Sequence, residues 1–101
     1  MSKIKVIIKK ADEPVGHVAL ISNTLKNLQN HVGGYIETLT IGNIVIICNE
    51  DARILKLPYN CTVLDVTNFF GDILVAGYEG EDFSDVPISL NVWKKLIGVK
   101  K

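Results

Sequence analysis

The chain has 101 residues, with eleven basic and eleven acidic side chains and a formal net charge of zero. Nearly half of it is apolar (48%), enough to build one core and too much for global disorder. The charge balance and a pI near 6.7 exclude a general nucleic-acid or anionic-membrane binder, whose affinity would rest on excess Lys and Arg.

Residues 3–9 alternate, with Ile4, Val6 and Ile8 on one side and Lys3, Lys5 and Lys9 on the other, Ile7 being the exception. This is a strand with one buried face. The run Ala11-Asp12-Glu13-Pro14-Val15-Gly16 is a turn, and His17–Ile21 returns as a second strand, completing an N-terminal hairpin. Ser22-Asn23-Thr24 supplies N-cap chemistry, Leu25, Leu28 and Val32 recur at helical spacing, and Gly33-Gly34 stops the helix.

A β-meander is expected next. Tyr35–Ile41 and Ile44–Cys48 flank Gly42-Asn43, a two-residue hairpin signal, and the second run is apolar on both faces, as a central strand is. Asn49–Ala52 reads as a turn into a strand at Arg53–Leu57, ended by Pro58-Tyr59-Asn60. Cys61–Val66 is a further extended piece, Phe69–Asp72 a turn, and Ile73–Tyr78 another strand apolar on both faces. The acidic stretch Glu79–Asp85 reads as a surface loop. Ser84 or Asp85 then caps a last helix, about 86–98, with Pro87 in its first turn and Ile88, Val92, Trp93, Leu96 and Ile97 on its apolar face. Lys94, Lys95, Lys100 and Lys101 suit its C-terminal dipole.

The expected fold is therefore a single α+β domain: hairpin, helix, antiparallel meander and C-terminal helix, in an order like a β-grasp roll. The first helix covers only one face of the sheet. The other is left to the C-terminal helix, the 58–72 segment or a second subunit, and a homodimer is expected on that ground.

The combination Gly33-Gly34-Tyr35-Ile36-Glu37, Cys48-Asn49-Glu50-Asp51 and Leu57-Pro58-Tyr59-Asn60 resembles a family of short proteins catalogued as a domain of unknown function and encoded largely by phages, plasmids and other bacterial mobile elements. Ile4–Lys9, Glu13–Gly16 and Gly71-Asp72-Ile73 fit the same pattern, so the resemblance covers about residues 3–85. Two positions depart from it: Ala52 stands where the family often has Gly, and Tyr59 where it often has a second Pro. A left-handed Ala52 would cost on the order of 1 kcal/mol relative to Gly. The resemblance implies a phage or mobile-element setting.

Catalytic motifs are thin: there is no Gly-x-Ser-x-Gly elbow, phosphate-cradling Gly-rich loop or His-Glu-x-x-His. Cys48 and Cys61 are more often unpaired core residues than a disulfide in a reducing cytosol, and with His17 and His31 they match no metal-ligand spacing. Neither metal nor cofactor is expected. A Cys61 nucleophile with His17 or His31 as base, or a Glu37/Glu50 carboxylate pair, is the enzymatic alternative. The best candidate contact surface is a polar cluster of Tyr35, Glu37, Asn49, Glu50, Arg53, Lys56, Tyr59 and Asn60, although each Asn more often bonds its own backbone. Lys3, Lys5, Lys9 and Lys10 form a basic strand, read as a solvated outer face or a protected edge.

The functional expectation is a non-enzymatic accessory binding protein in the bacterial host cytoplasm. It would act on a host component, as in counter-defence, by blocking a host protein or sequestering a nucleotide-like signal. The alternatives are the small enzyme or a nucleic-acid accessory factor. No membrane segment and no general nucleic-acid binding are expected.

Overall fold

The computed structural model describes residues 2–98. The elements are β1 (Lys3–Lys9), β2 (His17–Ser22), α1 (Leu25–Val32), β3 (Ile36–Ile41), β4 (Ile44–Asn49), β5 (Tyr59–Val63), β6 (Thr67–Phe70), β7 (Ile73–Glu79), β8 (Asp82–Ser84) and α2 (Leu90–Leu96). The domain is α+β, with an N-terminal hairpin and a C-terminal helix. Five strands form the main path in the order β2-β1-β7-β4-β3, every neighbouring pair antiparallel. The strand order is thus not that of a plain meander, because β5 and β6 leave the sheet as a separate two-stranded hairpin before β7 returns to the centre.

Local chemistry accounts for the first half. Thr24, in extended conformation, accepts from the Asn27 amide, and Gly33 closes α1 with φ 79°. Gly42 takes φ 58° at the first position of the β3–β4 turn, which suits the right-handed twist of the strands it joins. Leu28 and Val32 are buried, but Leu25, expected on the same stripe, is 59% exposed. The eight-residue helix buries a face narrower than the spacing suggested.

The two central strands are buried on both faces, and both faces are covered by the same chain. On one side α1 seals Ile4, Val6, Ile8, Val45, Ile47, Leu74 and Ala76. On the other, the β5–β6 hairpin, Val86 and α2 seal Ile7, Ile44, Ile46, Ile73 and Val75 around Trp93. The uncovered face that was the reason to expect a dimer is closed within the chain.

Four segments depart from the sequence reading. Arg53–Leu57 is not a strand: the amide of Leu55 donates to Asp51 O, Lys56 to Arg53 O and Leu57 to Ala52 O, winding residues 50–56 into a compact turn. Its left-handed residue is Lys56 (φ 57°), so Ala52 bears no such strain. Tyr59 begins a strand instead of ending one, Phe69 and Phe70 lie in β6, and Leu64 and Asp65 (φ 55° and 58°) make the turn between. Within Glu79–Asp85 lies β8, paired to Gly77–Glu79. The last helix starts at Leu90, capped by Ser89, because residues 85 and 86 are held extended against β1: Lys5 N donates to Asp85 Oδ1 at 2.8 Å and Val86 N to Lys5 O at 2.8 Å. Lys100 and Lys101 lie outside the described residues.

β8 and β1 share one side of β7, β1 pairing with residues 73–75 and β8 with 77–79. This fork requires Gly77, where a Cβ would stand 2.5 Å from Asp85 O, a separation side chains do not tolerate.

Candidate functional site

Asn60, bonded to Lys9 of the basic strand, shows why some polar residues of the cluster serve the fold. Pairing along β5 steps from Tyr59–Phe70 to Cys61–Phe69, leaving Asn60 as the extra residue of a bulge. A bulge re-aims its side chain, and here it turns Asn60 inward. Its Nδ2 donates to Lys9 O (2.9 Å) and Gly71 O (2.8 Å), and its Oδ1 accepts from Lys9 Nζ at 2.8 Å. Lys9 Nζ also donates to Glu13 O at 2.6 Å and is 2% exposed. Lys9 is therefore not part of a solvated basic face. Its ammonium is buried under β5, on the side of Ile7, and is held by carbonyl oxygens. Trp93 Nε1 completes the polar ties of this side by donating to Val15 O at 2.9 Å.

Asn49 plays the equivalent part on the other face. Its Nδ2 donates to Val32 O at 3.1 Å and its Oδ1 accepts from Asp51 N at 2.7 Å, so one buried side chain fixes the end of α1 and starts the following turn.

Three exposed members of the cluster, Glu37, Glu50 and Arg53, converge on one cleft of about 440 Å³. It lies between the β3–β4 hairpin, the 50–56 turn and β6, and is lined by Glu37, Leu39, Cys48, Asn49, Glu50, Ala52, Arg53, Ile54 and Thr67–Phe70. Glu37 pairs with Cys48 while Glu50 N donates to Tyr35 O, so Glu37 and Glu50 are diagonal neighbours on one face, typically about 7–8 Å apart. Arg53 stacks its guanidinium 4.9 Å from the centre of the Phe70 ring, and Tyr59 meets the same ring edge-on at 5.8 Å. The rim carries two carboxylates and one guanidinium over an apolar floor of Leu39, Cys48, Phe69 and Phe70.

The other predicted residues lie elsewhere. Tyr35 lines a separate hollow of about 500 Å³ at the end of α1, which Asn49 also reaches. Tyr59 and Asn60 border a third, of about 440 Å³, with Lys9, Cys61 and Asp65. Lys56 lines none of these three and serves the turn. Leu39, Ile54 and the β6 residues stand outside the sequence-predicted set: Phe69-Phe70 reads as part of a turn, and nothing local marks Leu39 or Ile54. The signal available was the pair Phe69-Phe70, too apolar for an exposed turn.

Cys61 is 6% exposed, and burial pushes its thiol up to about 11 despite the nearby Lys9. Burial, with a smaller contribution from Glu37, pushes Cys48 up to about 11 as well, and its Sγ–H donates to Glu37 O at 3.6 Å. Both hold the proton more tightly folded than unfolded. Their contribution to stability is therefore intact below the unfolded value of about 8.5 and fades as pH rises from there towards the folded one. At neutral pH, iodoacetamide should alkylate the native thiols on the order of a hundredfold more slowly than the unfolded chain, accelerating towards pH 11. Fast native labelling of Cys61 at neutral pH would restore it as a nucleophile.

Among the described residues no group of three or more His, Cys, Asp or Glu is placed to hold a metal ion, and no helix is long and apolar enough to cross a membrane.

A family model described as "Domain of unknown function (DUF3846)" matches residues 4–97. No curated protein and no solved structure matches the chain.

Proposed function

The chain belongs to the DUF3846 domain-of-unknown-function family, and from that premise we propose that it is a non-enzymatic binding protein of a phage or other mobile element. It acts in the cytoplasm of a bacterial host, and its contact surface is the cleft between the β3–β4 hairpin and β6. The observation that carries this reading is the convergence of Glu37, Glu50, Arg53 and Ile54 around an apolar floor. An apolar cleft with a few placed polar groups is the usual form of a binding site. Two carboxylates against one guanidinium favour a neutral or cationic contact, so a host protein fits better than a nucleotide-like signal, whose phosphates would meet net negative charge. Blocking a host defence protein is one role such a surface serves.

The test is affinity capture from host extract with the wild-type chain and with an Ile54→Asp, Glu50→Lys double variant. Both positions are outside the core, so the variant should fold. A host component retained by the wild type and lost from the variant is the expected result. Identical retention by both, or none by either, would remove the proposal. An altered metabolite in the incubated extract, abolished by Glu50→Gln, would establish the enzymatic alternative instead.

A further inference from the structure

β3 ends the main sheet path, with β4 on one side and no strand on the other among the described residues. Ile41 and Ile44 flank the two-residue turn and pair across it, so by the alternation of an antiparallel ladder Glu37, Leu39 and Ile41 bond to β4. Ile36, Thr38 and Thr40 then turn their amides and carbonyls to the open side. No side chain of β3 is buried. Natural sheets protect such edges with Lys, Pro, bulges or a covering element. The strand Ile-Glu-Thr-Leu-Thr-Ile has one charge, Glu37, and neither Lys nor Pro, and its six-residue register with β4 is unbroken by a bulge.

The charge beside this edge is net negative, two carboxylates against the Arg53 guanidinium, which is stacked on Phe70. Glu37 projects from β3 on the cleft face, Glu50 is its diagonal neighbour, and Leu39 follows two residues on, over the apolar floor. A strand laid along β3 would place successive cleft-facing side chains next to the carboxylates and then next to Leu39. Its opposite face would meet Thr38 and Thr40, the latter within hydrogen-bond distance of the Tyr78 hydroxyl (3.0 Å).

We propose that the β3 edge pairs with an extended peptide segment of the partner, in which a Lys or Arg faces Glu37 and Glu50 and an aliphatic residue two positions away packs on Leu39. Main-chain bonds supply the attachment and the cleft supplies the choice of sequence, as in other strand-addition complexes. This rests on the binding reading above and names its partner chemistry.

The test is selection from a displayed library of random nonapeptides, with the full chain as bait. The expected result is enrichment of Lys/Arg-x-aliphatic over acidic sequences, and reversal of the charge preference with a Glu37→Lys, Glu50→Lys bait. Thr38→Pro removes an outward amide but no bond to β4, and proline is tolerated on strand edges. With an unchanged circular dichroism spectrum, it should weaken the selected peptide at least about tenfold. No enrichment, an acidic consensus, or peptide binding indifferent to Thr38→Pro would overturn the assignment. So would a dimer of the free chain that Thr38→Pro dissolves, since a second copy would then occupy the edge. Capture of a host component that survives Thr38→Pro leaves the binding function standing and removes only the edge. Peptide selection without host capture does the reverse.

Discussion

Trp93→Ala should destabilise the protein by about 3–5 kcal/mol, the usual cost of emptying a large buried aromatic site. Trp93 is fully buried at the centre of the cluster joining α2, the β5–β6 hairpin and the sheet face of Ile7, Ile46 and Val75. The substitution also leaves Val15 O without its indole donor, adding about 1 kcal/mol. For a domain whose whole stability is about 5–15 kcal/mol, that is a large share, and the melting temperature should fall by roughly 15–30 °C. Urea titration followed by circular dichroism measures it, since the chain has one tryptophan and the variant loses its fluorescent probe. A loss under about 1 kcal/mol would show that α2 is not the seal of this face.

Asn60→Ala should cost a comparable amount, about 3–5 kcal/mol, for a different reason. It strips the Lys9 ammonium of its side-chain acceptor and leaves Lys9 O and Gly71 O without the donors they now have. Breaking a buried charged contact from one side is far more damaging than removing both partners. Lys9→Met added to Asn60→Ala should therefore recover part of the loss, with a coupling of about 0.5–3 kcal/mol in a double-mutant cycle. Strict additivity of the two single changes would show that Lys9 does not depend on Asn60.

The contrast between these residues marks what could be read from the sequence. The first hairpin, the Thr24 cap, the Gly33 stop and the Gly42-Asn43 turn were legible because each is decided within a few residues by backbone chemistry. Arg53–Leu57 misled because its mixed apolar and charged residues suit a strand, while the turn is decided by amides that reach back three to five residues. Lys9 misled through its parity with Lys3 and Lys5. The signal was Ile7, which shares that parity: the face is wet at the start of β1 and covered at its end. At the candidate site, Glu37, Glu50 and Arg53 were found and do share a cleft. Its far wall was not, because the placing of β6 depends on contacts between segments distant in the chain. The asparagines follow the backbone-bonding reading favoured for each: their side chains hold together the bulge of β5 and the end of α1.

Placing β7 between β1 and β4 has a consequence for the order of events during synthesis. Chains emerge N-terminus first, so the segments of both hairpins, β1–β2 and β3–β4, are made before the strand that joins them. Until residue 76 is available, the inner margins of β1 and β4 stand open, each carrying apolar side chains on both faces. A nascent or truncated chain ending before β7 lacks the strand that covers both margins. Arrival of one late segment closes them, so for this protein the vulnerable interval is set by when Ile73–Ala76 leaves the ribosome.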